Sequence, residues 1–175
     1  MSTRFITRVV ILATVLAIVC IDAALANSFG VNVYGLSYHV NNRRGAEPFT
    51  TDGRFNEINQ GFGFRASFGT DSAATTLFVE GGAFDDTFQN LAKYLSVGFQ
   101  VRLIYQFRAG INAAVYTTQS IKDGDPFFAP VPIVSYTVSM VTVNFVYLPK
   151  YEPRNPWHTI GAYATIHLFK GEPSR

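Results

Sequence analysis

The chain has 175 residues, 48% hydrophobic and 15% aromatic, and a formal net charge of +2. That length leaves room for one domain, the near balance of charge offers no basic surface for nucleic acid, and no internal stretch supplies the roughly 18 apolar residues of a spanning helix. Rich in aromatics and without such a helix, the sequence points to β structure.

At the start, Arg4 and Arg8 precede the apolar run Val9 to Ile21, and the small-residue site Ala24-Leu25-Ala26 follows. This is the order of a secretory signal cleaved after Ala26. Cys20, the one cysteine, lies inside the leader, and Val19 before it is too bulky for a lipoprotein cleavage site. Residues 1–26 are therefore expected to be removed. Residues 27–175 form a single, nearly neutral domain without a thiol, a disulfide or a thiolate metal site.

From there a period of two recurs, one parity apolar and the other small or polar, as in strands that face two environments. Eight segments fit. The first, Val31 to Val40, sets Tyr34, Leu36, Tyr38 and Val40 against Gly35, Ser37 and His39; the second, Gly61 to Gly69, sets Phe62, Phe64, Ala66 and Phe68 against a face holding Arg65. The third, Thr75 to Phe84, opposes Leu77, Val79 and Ala83 to Thr76 and Glu80. The fourth, Tyr94 to Val101, opposes Leu95, Val97, Phe99 and Val101 to Ser96, Gly98 and Gln100. Arg108 to Tyr116 follows, with Ala109, Ile111, Ala113 and Val115 on the apolar side, after a turn near Arg102 to Gln106. Val131 to Val138 carries Pro130 and Pro132 at its start, where a missing N–H weakens pairing. Val141 to Leu148 and His158 to Phe169 complete the set, and the last alternates without interruption from Thr159 to Leu168.

Periodicity fits both a soluble secreted sandwich and a barrel with its apolar face toward lipid. Longer first, third, fifth and seventh connections, an even strand count, aromatic strand ends and the leader favour an all-β, eight-stranded antiparallel up-and-down barrel in the outer membrane of a Gram-negative bacterium. The odd connections then share a rim, which gathers His39, the stretch Arg54-Phe55-Asn56-Glu57, and Asp86 with Thr87.

His39 at the end of the first strand, Phe55-Asn56-Glu57 closing the loop after it, the Gly-rich Gly61-Phe62-Gly63-Phe64 and Asp86-Thr87-Phe88 after the third strand together resemble the PagP-like lipid A palmitoyltransferases. The likeness covers most of the mature chain, in fragments. It implies transfer of a palmitoyl chain from a phospholipid donor to a lipid A acceptor by a monomer without a cofactor, inserted by the barrel-assembly machinery. It also implies that Gly98, followed by Phe99, floors an acyl-chain pocket, and that Pro132 and Pro149 flank a lateral path for lipid between the sixth and seventh strands. The chain departs from that pattern in four places, one of them the spacing of the loop between the first and second strands. Thr87 stands where the family has serine, Asn27 to Gly30 offers no amphipathic helix, and Lys170 to Arg175 follow the terminal aromatic Phe169.

Such a transfer needs a base for the acceptor hydroxyl and donors for the developing oxyanion. His39 is the natural base, Asp86 its orienting or charge-holding partner, and Thr87 the group that positions acceptor or carbonyl. The plainer account makes His39 an interior polar residue at a wet rim and Asp86 a solvated loop acid. An enzyme requires these three to meet above a dry pocket lined by residues such as Val31, Val33 and Gly98. A catalytically silent barrel with a structural or surface-interaction role requires a plugged lumen instead. Glu80, Arg65 and Arg108 fall on the inward parity and predict a lumenal ion-pair network. His158 and His167 lack metal-ligand spacing, and Asp123-Gly124-Asp125 reads as a turn rather than a calcium loop.

Overall fold

The computed structural model describes residues 26–40, 55–69, 71–121, 124–150 and 157–171. The leader up to residue 25, Arg54 and Asp123 lie outside them.

Eight strands follow in order: β1 (Ser28–Val40), β2 (Ile58–Phe68), β3 (Thr75–Asp85), β4 (Leu91–Ile104), β5 (Phe107–Thr117), β6 (Phe127–Val138), β7 (Val141–Leu148) and β8 (His158–Lys170). Each pairs antiparallel with the next, and β8 returns to β1, so the sheet closes into a barrel without an edge. Residues 41–57, 86–90, 118–126 and 149–157 connect strands at one end, the loop end. Residues 69–74, 105–106 and 139–140 do so at the other, the turn end. The connection after β3 is shorter than its sequence suggests because β3 and β4 run further toward the rim. Tyr105 and Ser139 take left-handed backbone in the two tightest turns.

The alternation sorts side chains inside out relative to a soluble protein. Val33, Leu36, Phe62, Leu77, Val97, Ile111, Phe145 and Leu168 are exposed on the outer wall, whereas Asn32, Arg65, Glu80, Gln100, Asn112, Asn144 and Thr165 are buried within. A sandwich would bury the first set and wet the second. An apolar wall around a polar interior is the arrangement of an outer-membrane-type barrel, whose outer face meets lipid.

One parity assignment is corrected. The register of β1 against both neighbours shifts between Tyr34 and Leu36, a bulge at Gly35. An extra residue flips every side chain on one side of it relative to the other. Tyr34 therefore points into the lumen rather than sharing the outer face with Leu36 and Tyr38. There it packs against Phe84, Tyr94 and Tyr163 and hydrogen-bonds the Tyr94 hydroxyl.

Below this aromatic layer lies the expected network. Glu80, 1% exposed, receives hydrogen bonds from Asn112 Nδ2 at 2.7 Å, Tyr163 Oη at 3.0 Å and Asn32 Nδ2 at 3.3 Å, with Arg65 Nη1 at 3.7 Å. Arg65 donates to Gln100 Oε1 at 2.7 Å and Asn144 Oδ1 at 3.1 Å. Gln100 and Asn144 are joined through Ser135, and Asn144 returns through Thr165 to Asn32. The circuit links most of the wall, which is how a buried charged pair meets its desolvation cost. Toward the turn end, Arg108 donates Nη2 to the Asp71 and Ala73 carbonyls at 3.0 Å, tying β5 to the β2–β3 connection.

Candidate functional site at the loop rim

His39 ends β1 on the inward parity and is 2% exposed. Its Nε2 lies 3.2 Å from Thr87 Oγ1, and its ring stacks on Phe55 with centroids 4.1 Å apart. Phe55 meets Trp157 edge-on at 4.9 Å, and Phe88 closes the cluster at 5.9 Å from Trp157 and 6.1 Å from Phe55. Residues 55–57, which lead into β2, are held to the rim by hydrogen bonds. Ser37 N–H donates to Glu57 O at 2.9 Å, Asn56 N–H to Thr87 O at 2.8 Å, and Asn56 Nδ2 to Asp86 O at 3.2 Å. Phe55-Asn56-Glu57 thus joins the end of β1 to the β3–β4 turn, and Thr87 is set against His39 by that junction.

Asp86 reaches the same rim but turns elsewhere. Its Oδ1 accepts from the backbone N–H of Phe88 at 2.8 Å and of Asn90 at 2.9 Å, capping its own turn. Oδ2 accepts from Thr118 Oγ1 and Ser120 Oγ, each at 2.5 Å, so the carboxylate ties the β3–β4 turn to the end of β5. His39 Nδ1 is buried with no hydrogen-bond partner among the described residues. The rim therefore assembles a His39–Thr87 pair, with Asp86 serving the loop rather than the imidazole. Thr118, Ser120 and Trp157 belong to this cluster without having been legible as such. Trp157 is the only tryptophan of the chain, and its position beside the last strand was the one available signal.

The expected pocket is occupied or faces the wrong way. Gly98 does point inward, but the space over it holds the Phe78 ring, whose Cζ, Cε1 and Cε2 would overlap any Cβ built there. Phe78 is 0% exposed, and the Arg65 guanidinium lies 3.6 Å from its centroid. With Tyr163 and Ile133 it forms the apolar core of the lumen, against which Tyr34 and Val146 pack. Val31 and Val33 lie on the outer parity, Val33 exposed, so neither lines an inner pocket. Phe99 is on the outside as well.

Pro132 and Pro149 do bracket a weak seam. The β6–β7 ladder runs from Val138–Val141 only as far as Ile133–Val146. Pro132 is the next residue of β6, while Tyr147 and Leu148 of β7 pair with β8 alone. Both prolines are exposed.

The remaining histidines are structural in setting. His158 Nδ1 lies 2.6 Å from Tyr147 Oη and accepts the Lys150 N–H at 3.2 Å, and His167 Nε2 lies 2.8 Å from Thr142 Oγ1. Among the described residues no group of three His, Cys, Asp or Glu side chains is placed to hold a metal. No protein-family model matches the chain, and no curated protein matches it.

Proposed function

We propose that the protein is a sealed outer-membrane barrel of a Gram-negative bacterium, acting as a structural or surface-interaction element rather than as a pore or a lumenal lipid pocket. The observation that carries this reading is the Phe78 ring over Gly98, beneath an aromatic layer and beside a closed polar circuit. A pocket for an acyl chain would need that ring to leave, stripping a buried side chain of its contacts and Arg65 of its aromatic partner. What the outer wall then supports is a rim at which Phe55, Phe88 and Trp157 pack around His39.

A second reading, acyl transfer from a phospholipid to lipid A, is favoured by the His39–Thr87 contact and by the open seam between Pro132 and Pro149. In that reading His39 takes the proton of the lipid A hydroxyl. The resulting oxygen attacks the phospholipid ester carbonyl, and the tetrahedral intermediate collapses with expulsion of the glycerol oxygen, which takes the proton back from His39 and leaves as a lysophospholipid.

Mass spectrometry of lipid A separates the two. The chain and its His39→Ala form are expressed in a Gram-negative host lacking its own palmitoyltransferase, with folding in the outer membrane verified by heat-modifiable gel mobility. Unchanged lipid A beside a folded barrel is the expected result. A gain of one palmitoyl group that vanishes in His39→Ala would overturn the first reading and establish the second.

A further inference from the structure

The hairpin of β4 and β5 ends in a turn that neither the seal nor the rim cluster uses. Every residue from Arg102 to Phe107 is exposed there, and Leu103, Ile104, Tyr105 and Phe107 are large and apolar. The β2–β3 connection at the same end runs instead through the small and polar Asp71-Ser72-Ala73-Ala74. Turns that meet water are polar, so a run of exposed apolar side chains at a turn tip points to a different surrounding.

The backbone aims these side chains at the outer wall. The β4–β5 register shifts between Arg102 and Ile104, which makes Leu103 the extra residue of a bulge. Arg102 lies opposite the buried Arg108, and Ile104 lies opposite the exposed Phe107. Directly opposed residues share a face. Arg102 is thereby carried to the lumenal side, while Ile104 joins Phe107 on the outside. Phe107 packs on Tyr136 of β6 with ring centroids 4.5 Å apart, so the apolar wall continues to the tip of the hairpin. Val97, Phe99, Val101, Ala109 and Ile111 bring no charge to that face.

Tyr105 adds an independent observation. Its φ of 49° is left-handed, a conformation that glycine or asparagine adopts with less strain than a bulky aromatic residue. The fold gives the ring little in return, since Tyr105 is 82% exposed. A ring with an apolar body and a polar hydroxyl is suited to the boundary between hydrocarbon and headgroups.

We propose that the β4–β5 turn is a lipid anchor, with Leu103 and Ile104 inserted among the acyl chains of a glycerophospholipid leaflet and Tyr105 at its headgroup boundary. The proposal rests on the reading of the chain as an outer-membrane barrel, in which the turn end meets the periplasmic leaflet. Lipid fits this surface better than a protein partner does. A protein-docking patch is enclosed by a polar rim, whereas this one runs directly into the apolar outer wall.

The test is spin labelling of the full chain carrying Cys20→Ser, with one cysteine introduced at a time by Leu103→Cys, Ile104→Cys, Val97→Cys or Ser72→Cys, in vesicles of phosphatidylethanolamine and phosphatidylglycerol. Folded mobility on an unheated gel is checked first, and either hairpin label decides if the other variant does not fold. Collisions with oxygen, which concentrates in hydrocarbon, and with a water-soluble nickel chelate report depth. The Val97 position reads insertion of the barrel wall, and the Ser72 position reads water at the turn end. At Leu103 and Ile104, nickel collisions should be about tenfold rarer than at Ser72, with oxygen collisions raised to the level at Val97. Adding Tyr105→Asn, which suits the left-handed position, should keep the fold and return the Ile104 label toward the Ser72 values; an unmoved label would remove the tyrosine from the anchor. Hairpin labels as open to nickel as Ser72, with Val97 in lipid, would overturn the anchor and leave the membrane barrel standing. A Val97 label in water would overturn both. Hairpin labels shielded from both reagents would overturn the anchor in favour of a protein contact.

Discussion

The occupancy of the space over Gly98 can be measured by a double-mutant cycle. Phe78→Ala removes a fully buried ring, a change that costs about 3–5 kcal/mol where the surroundings do not collapse. Gly98→Ala inserts a methyl group whose three nearest atoms all belong to that same ring. Overpacking of this kind costs about 1–3 kcal/mol. Because the clash involves one side chain and no backbone, removing the ring removes the clash, and the new methyl enters the space the ring vacates. The double variant should therefore be no less stable than Phe78→Ala alone, a coupling of about 1–3 kcal/mol in the stabilising direction. Urea unfolding in lipid vesicles reports this through fluorescence of Trp157, the only tryptophan, whose contacts with Phe55 and Phe88 are lost on unfolding. If the two single costs add within about 0.5 kcal/mol, the Phe78 ring does not fill that space, and an acyl-chain pocket above Gly98 becomes tenable again.

Two further perturbations test the polar parts. Glu80→Gln removes the charge facing Arg65 and presents an amide donor to groups that already donate. It should destabilise the barrel by about 3–5 kcal/mol, as breaking a buried pair does, whereas Glu80→Leu combined with Arg65→Met should cost less than either change alone; urea midpoints read both. Asp86→Ala leaves two backbone amides and two hydroxyls without their acceptor and should cost about 1–3 kcal/mol. Hydrogen exchange at the Phe88 and Asn90 amides would accelerate while the barrel strands keep their protection; unchanged exchange at those amides would refute the capping role.

The strands were legible because each one separates an apolar outer wall from a polar lumen, which imposes an alternation that few other settings sustain. In β8 that pattern runs unbroken from Thr159 to Leu168, with Tyr163, Thr165 and His167 inward; beyond it the register against β1 shifts, and Leu168 and Phe169 are both exposed. Tyr34 was misplaced because the outer wall tolerates tyrosine as readily as leucine, so a parity change at Gly35 leaves no mark on an apolar run. Phe78 was legible in principle. It shares the parity of Thr76 and Glu80 and is the apolar member of an otherwise polar set, the expected signature of a plug. Asp86 was read by its position at the rim, and that position holds. Its partners Thr118 and Ser120 come from the β5–β6 side, and only ring closure brings them near. Barrel closure likewise sets Trp157 against Phe55, which no local pattern encodes.

The bulge at Gly35 connects the seal to the rim. Tyr34 and His39 are separated by an odd number of positions, so on a regular strand one would lie on the outer wall whenever the other faced the lumen. With one extra residue between them, Tyr34 joins the aromatic layer while His39 reaches Thr87. Gly35 itself is not demanded by crowding, since a Cβ there would meet nothing within 4 Å. What matters is the added residue rather than its lack of a side chain. A β1 without it would have to surrender either the tyrosine that closes the upper lumen or the histidine that anchors the rim cluster. Sealing the lumen and burying His39 are consequences of one irregularity in one strand, so an account of the protein that assigns a role to His39 must also accommodate the plug beneath it.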